Sequence, residues 1–366
     1  LLAALGYDSA VEGYTGPNWS VAVIKQAAGI GLDDGNDEFV GSQAVTRQEA
    51  ALYAFNMLQA TMVEYDAKTS VDINGATVTI AGDKAKEVAQ GSYDNNMHKP
   101  NLQFAERYFD KLDKTETPDD FARPATKWTF KGDKIGTYAD KANQTYYKNV
   151  KLGNIYSDLG MTQKDEHATV IVNGVEATDV VVSKNNDRKI SSSSANDGLV
   201  GDGSIVEVYY DEDDNHVTIV VADVYVGEIT SKETKAADPY VVVDSKLQMK
   251  KVDGTNYTGY TGNATHFECD TSAFAEDDIV LFTYSQAEKS IQTVVKAEST
   301  EGIVSEYTLT KSLTLADKEY EYAKNIVFDF GDENTMRTKN TYTIYTDANG
   351  LVIFVTESEF KPTDYA

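Results

Sequence analysis

Arg47 stands second in the run Thr46-Arg47-Gln48-Glu49, and its position suggests a chemistry. Thr46 and Glu49 hold the T-x-x-E spacing of a capping box, in which each side chain satisfies the other's free backbone N–H at a helix start. A guanidinium in the first turn opposes the helix dipole. Placed beside free N–H groups, it makes sense where an anion must bind. Glu49 therefore reads as the structural cap and Arg47 as a candidate ligand group. Composition alone reads Arg47 as a solvated residue paired with a nearby carboxylate. Trp19 heads the run WSVAVIKQAA. It reads equally as packing between two helices or as a cleft residue that buries its body and shows one edge.

Other chemistry is sparse. The chain has no H-E-x-x-H, G-x-S-x-G, P-loop or G-x-G-x-x-G motif, so no catalytic residue is assigned. Paired carboxylates could run glycoside hydrolysis, but the acidic residues are too many for spacing to choose a pair. The turns Asp33-Asp34-Gly35-Asn36-Asp37 and Asp211-Glu212-Asp213-Asp214 carry oxygen ligands suited to calcium. Neither has the twelve-residue EF-hand spacing, so both read as solvated turns with calcium as the one cofactor open to them. His98, His167, His216 and His266 are dispersed beside polar turns. Cys269 is the only cysteine, which rules out a disulfide within the chain and suits a small buried hydrophobe. The 23 tyrosines invite sugar stacking, yet in strand-rich sequence they read first as half-buried strand residues.

The elements that must position these groups fall into two kinds. Residues 19–28 form one short helix, with Trp19, Val23 and Ala27 on one side, Pro17 in its first turn and Gly29 at its end. A second helix follows the capping box, with Ala51, Ala54, Phe55, Leu58 and Met62 as its apolar stripe and Val45 stapled onto Ala50. Alternation takes over from Ser70, where Asn74-Gly75 signals a hairpin. Residues 83–124 read as a linker holding one amphipathic helix over 101–112, marked by Phe104, Tyr108 and Leu112. Beyond 125 the chain is nearly all β, with Trp128 as a core anchor of the first β module and Ser191–Ser194 with Asn196-Asp197-Gly198 as a loop inside it.

Three stretches share one layout of strand, polar turn and strand: 202–223, 277–298 and 339–358. Each predicts a hairpin that closes a domain. VGEITS at 226–231 parallels EGIVSE at 301–306, and 239–249 parallels 312–322. Recurrence in fixed order indicates an array of similar small barrels or sandwiches.

The order of Trp19, helix, Gly29-Ile30, acidic Asp-Gly turn, Phe39 and T-R-x-E helix resembles the S-layer homology (SLH) repeat. Residues 14–62 are similar to one whole repeat, and residues 1–8 to the last turns of a preceding one. The chain departs from the family pattern at Phe39-Val40-Gly41, where F-x-P is usual, and at Gln48, where alanine is usual. The resemblance implies a module that anchors bacterial surface proteins to secondary cell-wall polysaccharide. It implies that Arg47, with Thr46 and Trp19, faces a groove between repeats and meets an acidic, pyruvate-bearing sugar.

The expected organisation is therefore α+β and multidomain. The end of a truncated repeat (1–13) and a whole repeat (14–64) precede a hairpin and linker (65–124). All-β modules follow at 125–223, 224–298 and 299–366. A net charge of −26 argues against a nucleic-acid partner. No apolar run is long enough for a membrane span. Because Leu1 falls inside a helix pattern, the chain reads as a trimmed piece of a longer secreted protein. The expected function is a non-enzymatic surface protein, held to the wall by its helical end, whose β modules project outward and self-associate as a homo-oligomer or lattice. A wall-anchored polysaccharide-processing enzyme and a carbohydrate-binding adhesin are the alternatives.

Overall fold

The computed structural model describes residues 1–66, 69–73, 76–80, 84–161, 168–177, 199–235, 237–246, 249, 266–331 and 333–358. The chain is α+β and forms two compact units. The first comprises Leu1–Thr117 with Thr126–Tyr138, the second Pro118–Ala125 with Ala139–Ala366.

The first unit begins with helices α1 (Trp19–Gly29) and α2 (Arg47–Leu58). Pro17 lies just ahead of the Asn18 N-cap rather than inside α1, where its missing N–H would be equally harmless. Leu2, Leu5, Tyr7, Leu32, Ala60 and Val63 form the core beneath, with Val23, Ala27 and Met57 packed on it. The inward face of α2 differs from the expected stripe. Ala51, Ala54 and Phe55 are exposed, while Leu52, Tyr53, Asn56 and Met57 are partly buried. Spacing alone missed this because Asn56 is polar yet turned inward.

Short strands β1 (Val63–Glu64), β2 (Thr69–Ile73), β3 (Ala76–Ile80) and β4 (Lys86–Glu87) follow. β2 and β3 pair antiparallel, as Asn-Gly predicts, although that dipeptide lies outside the described residues. Residues 84–117, expected as linker, pack instead as part of this unit. Leu102 N donates to Val88 O at 2.9 Å and Phe104 N to Ala60 O at 3.0 Å. Glu106, 1% exposed, accepts from Gln103 N, Met97 N and Gln90 Nε2. That buried carboxylate organises the segment, which its polar composition disguised.

The expected helix over 101–112 is one turn, α3 (Phe104–Tyr108). Leu112 opens strand β5 (Leu112–Glu116), which pairs with β6 (Ala125–Phe130), itself beside β7 (Asp133–Ala139). Trp128 is buried with Met97, Ala105 and Leu112, and its ring meets Phe55 edge-on at 5.3 Å. It thus anchors the first unit rather than a β module, because the sheet carrying it pairs backward with β5.

Among the described residues the second unit holds three sheets. The first is built from β8 (Gln144–Tyr146), helix α4 (Leu152–Asp158), β9 (Thr169–Val172), β10 (Val175–Glu176), β11 (Ile205–Asp211) and β12 (His216–Ala222), in the order β10-β9-β12-β11-β8. The 191–198 loop expected inside this module lies outside the described residues. The second sheet contains β13 (Val224–Glu233), β14 (Tyr240–Ser245), β15 (His266–Glu268), β16 (Ile279–Ser285) and β17 (Ser290–Lys296), ordered β15-β14-β13-β16-β17. The third is β18 (Glu298–Thr308), β19 (Ser312–Leu315), β20 (Lys318–Phe328), β21 (Thr341–Thr346) and β22 (Val352–Glu357). It closes as the barrel β18-β19-β20-β22-β21, the Greek-key arrangement of an OB-type barrel. All three closing hairpins pair as the sequence predicts.

The second and third modules repeat each other down to single residues. β13 carries a register shift between Ile229 and Ser231, β18 one between Val304 and Glu306, at equivalent places in VGEITS and EGIVSE. The bulged hydroxyls do the same work: Thr230 Oγ1 donates to Val242 O at 3.4 Å, Ser305 Oγ to Thr314 O at 3.5 Å. Gly227 and Gly302 also correspond. A Cβ at Gly227 would meet Val243 at 2.6 Å, and one at Gly302 would meet Leu315 at 2.7 Å, so each glycine lets the neighbouring strand's side chain pack close over its backbone.

The modules are joined by single residues, Asp223 between β12 and β13 and Ala297 between β17 and β18. Val226 and Leu281 of the second share a core with Ala323, Leu351, Ile353 and Phe354 of the third. Between first and second, Gln286 N donates to Asn173 O at 2.7 Å and Ser285 Oγ to Asp120 O at 2.6 Å. The array is thus one packed body rather than beads on flexible linkers.

Candidate functional site

The capping box at the start of α2 is fully formed. Thr46 Oγ1 accepts from Glu49 N at 3.2 Å and donates to Glu49 Oε2 at 2.8 Å, while Glu49 Oε2 also accepts from Thr46 N at 2.7 Å. The Thr46 backbone and hydroxyl bonds hold the Glu49 carboxyl below its ordinary range. Glu49 is therefore committed to the cap. Thr46→Ala should cost the first unit about 1 kcal/mol, read as a lower denaturation midpoint by tryptophan fluorescence, since both tryptophans, Trp19 and Trp128, lie in that unit.

Arg47 follows the cap and is exposed, and its side chain makes no ion pair or hydrogen bond with any described residue. Among the described residues no carboxylate pairs with it. Trp19 is 54% exposed, so it does not serve as packing between the two helices; Val23 and Ala27 fill that place.

The acidic turn is pinned onto α2 by residues that the sequence reading passed over. Asn36 Nδ2 donates to Tyr53 Oη at 2.8 Å and to Glu49 Oε1 at 3.3 Å. Asn56 Nδ2 donates to Leu32 O at 3.0 Å and Asp34 O at 2.9 Å. The signal was present: Asn56 breaks the apolar stripe of α2, and a polar residue on an inward face needs partners. Gly41 is exposed, and a Cβ there would meet only the terminal methyl of Ile24, which can rotate aside.

A groove of about 380 Å³ lies in the same unit, lined by Leu2, Tyr14, Val23, Ile24, Leu32 and Phe39 among others. The residues lining it include neither Trp19, Thr46 nor Arg47. Among the described residues that line it, Asp33 is the one carboxylate.

The other candidates stay apart. His98 Nε2 lies 2.9 Å from Lys114 O, His216 Nε2 lies 3.1 Å from Thr169 Oγ1, and His266 stacks on Tyr240 at 4.5 Å. His167 lies outside the described residues. Asp211 Oδ1 accepts from the N–H groups of Asp213 and Asp214, closing its own turn. Among the described residues no three His, Cys, Asp or Glu side chains gather as a metal site. Cys269 is partly buried against the second module's core, and burial pushes its thiol up, away from the reactive thiolate. No helix among the described residues is long and apolar enough to cross a membrane.

No protein-family model matches the chain, and no curated protein matches it. Among solved structures, a multidomain protein with nucleic acid binding domains from Streptococcus pneumoniae TIGR4 is similar over 50% of this chain and 70% of that chain, at 10% sequence identity. Its TM-score of 0.13 is too low for the likeness to bear on fold or function.

Proposed function

We propose that this chain is a non-catalytic bacterial surface protein, secreted and held at the cell wall. An SLH-like helical module engages an anionic wall polysaccharide, and the β modules serve as a structural array able to self-associate. The observation that carries the reading is Arg47, a solvent-facing guanidinium with no side-chain partner among the described residues, in a chain of net charge −26. Glu49, two residues on, is taken by the cap. Arginine in that setting can meet a ligand carboxylate in a bidentate pair.

The β region supports a structural rather than catalytic role. Its modules are joined by single residues, the second and third share an apolar core, and the acidic Asp211 turn closes on itself. The exposed Trp19 offers an apolar edge of the kind that sugar rings stack on. One binding contact of this sort is weak, and repetition of sites raises avidity by on the order of 10²–10⁴. The test is co-sedimentation of the protein with purified wall polysaccharide at low and high salt. Retention at either salt that soluble wall polysaccharide competes away agrees with the reading, because screening weakens both the Arg47 contact and the repulsion between the −26 chain and the anionic polymer. Absence of retention under both conditions, even when the protein is displayed at high density, rejects it.

A further inference from the structure

Strand β20 is interrupted. Its parallel pairing with β22 steps from Tyr322↔Val352 to Val327↔Phe354, five residues on one strand against two on the other. The excess falls at Ala323–Ile326, which leaves the ladder as a bulge. Bulges re-aim side chains, and this one turns Lys324 and Asn325 away from the barrel's own strand partners.

Both side chains reach out of the third module. Lys324 Nζ donates to Asp223 Oδ1 at 3.0 Å, to Asp223 Oδ2 at 3.3 Å and to Leu199 O at 3.1 Å. Lys324 N donates to Asp202 O at 2.7 Å. Asn325 Nδ2 donates to Val224 O at 3.0 Å. Asp223, the single residue joining the first and second modules, is buried and has further partners: Ser204 Oγ at 2.7 Å and Asn173 Nδ2 at 3.3 Å. Asn173 also donates to Tyr225 Oη at 3.1 Å. One node therefore gathers the first module through Leu199, Ser204 and Asn173, the second through Tyr225, and the third through Lys324.

The surrounding backbone is shaped for this contact. Gly203, at φ +87, would place a Cβ 3.1 Å from that of Ala323 and 3.2 Å from Asp347 Oδ2. A Cβ at Gly201 would lie 2.6 Å from Lys324 Cδ. Two glycines thus let the 199–204 loop of the first module lie directly on the bulge of the third.

We propose that the β20 bulge is a latch: Lys324, closing on Asp223, locks the third module onto the first and makes the three modules unfold as one. A buried charge stripped of its partner is costly, so the latch resists partial opening. This inference is independent of wall binding.

Native-state hydrogen exchange on the full chain tests it. In the parent, core amides of the first module (Val208, Ile219) and the third (Leu313, Val355) should lose protection together as denaturant rises. In Lys324→Met, the third module's amides should exchange on the order of ten-fold or more faster at denaturant levels where those of the first do not. Asn325→Ala is the milder second variant, for use if Lys324→Met does not fold, and should show the same separation to a smaller degree. Lys148→Met removes the exposed Lys148–Glu321 pair between the same modules and should leave the two sets together. Independent exchange of the two modules in the parent, or joint exchange in the latch variants, would overturn the proposal.

Discussion

Gly6→Ala should destabilise the first unit by about 3 kcal/mol or more, one of the largest losses open to a one-carbon addition in this chain. Gly6 sits at φ +107, a backbone conformation that L side chains rarely adopt. A Cβ there would run into the carbonyl oxygen of Val63. Val63 cannot withdraw freely, because its N–H donates to Leu5 O at 2.8 Å and its side chain is part of the core with Leu2, Leu5 and Leu32. Strain and collision therefore act at one point, and relieving either one breaks the Leu5–Val63 bond. Chemical denaturation followed by tryptophan fluorescence should show an early midpoint. A midpoint equal to the parent's would mean that the Leu1–Tyr7 segment is not seated against Val63 in solution.

Phe282→Ala should cost the second unit about 3–5 kcal/mol. Phe282 is fully buried at the centre of the second module, on the strand between β13 and β17. Its ring lies 5.6 Å from that of Tyr225, and it fills the space that Gly227 leaves. The surrounding sheet is tied to its neighbours on both sides, so the cavity has little room to collapse. A loss of that size in a unit of this length lowers the thermal midpoint by roughly 10 °C. Phe282→Leu should recover part of it. Circular dichroism in the β region gives the reading, and a change within two degrees or so, inside the usual scatter for tolerated substitutions, would show that the core repacks around the gap.

Local signals in the sequence carried the elements well and their partners poorly. Thr46 and Glu49 announce their cap because a capping box is decided within four residues. The three closing hairpins announce themselves because strand alternation and turn chemistry are likewise local. The match of VGEITS to EGIVSE extended to equivalent bulges at Thr230 and Ser305, since the same hydroxyl meets the same kind of carbonyl. Long-range pairing was not legible. Trp128 was assigned to the module that follows it because nothing in TKWTF reveals that β6 pairs backward with β5. Residues 84–117 looked like linker because their organising group is a carboxylate, Glu106, buried by bonds to Gln90, Met97 and Gln103. The Asp223–Lys324 pair, 101 residues apart, has no sequence signature at all. At the candidate site, the position and exposure of Arg47 followed from the cap, whereas the Asn36 and Asn56 clamps required the fold.

The wall-binding reading turns on Arg47, and one measurement addresses it most directly. The chain is coupled densely to beads, so that many weak contacts act together, and capture of soluble pyruvylated wall polysaccharide is compared between parent, Arg47→Ala and Arg47→Lys. Arg47 is exposed and its side chain bonds to no described residue, so the variants should keep the parent's circular dichroism and melting behaviour. The expected result is capture by the parent, a fall toward the uncoated-bead level for Arg47→Ala, and incomplete recovery for Arg47→Lys, because an ammonium cannot reproduce the paired guanidinium–carboxylate contact. Equal capture by the parent and a fully folded Arg47→Ala would contradict the account and leave this helical module a spacer.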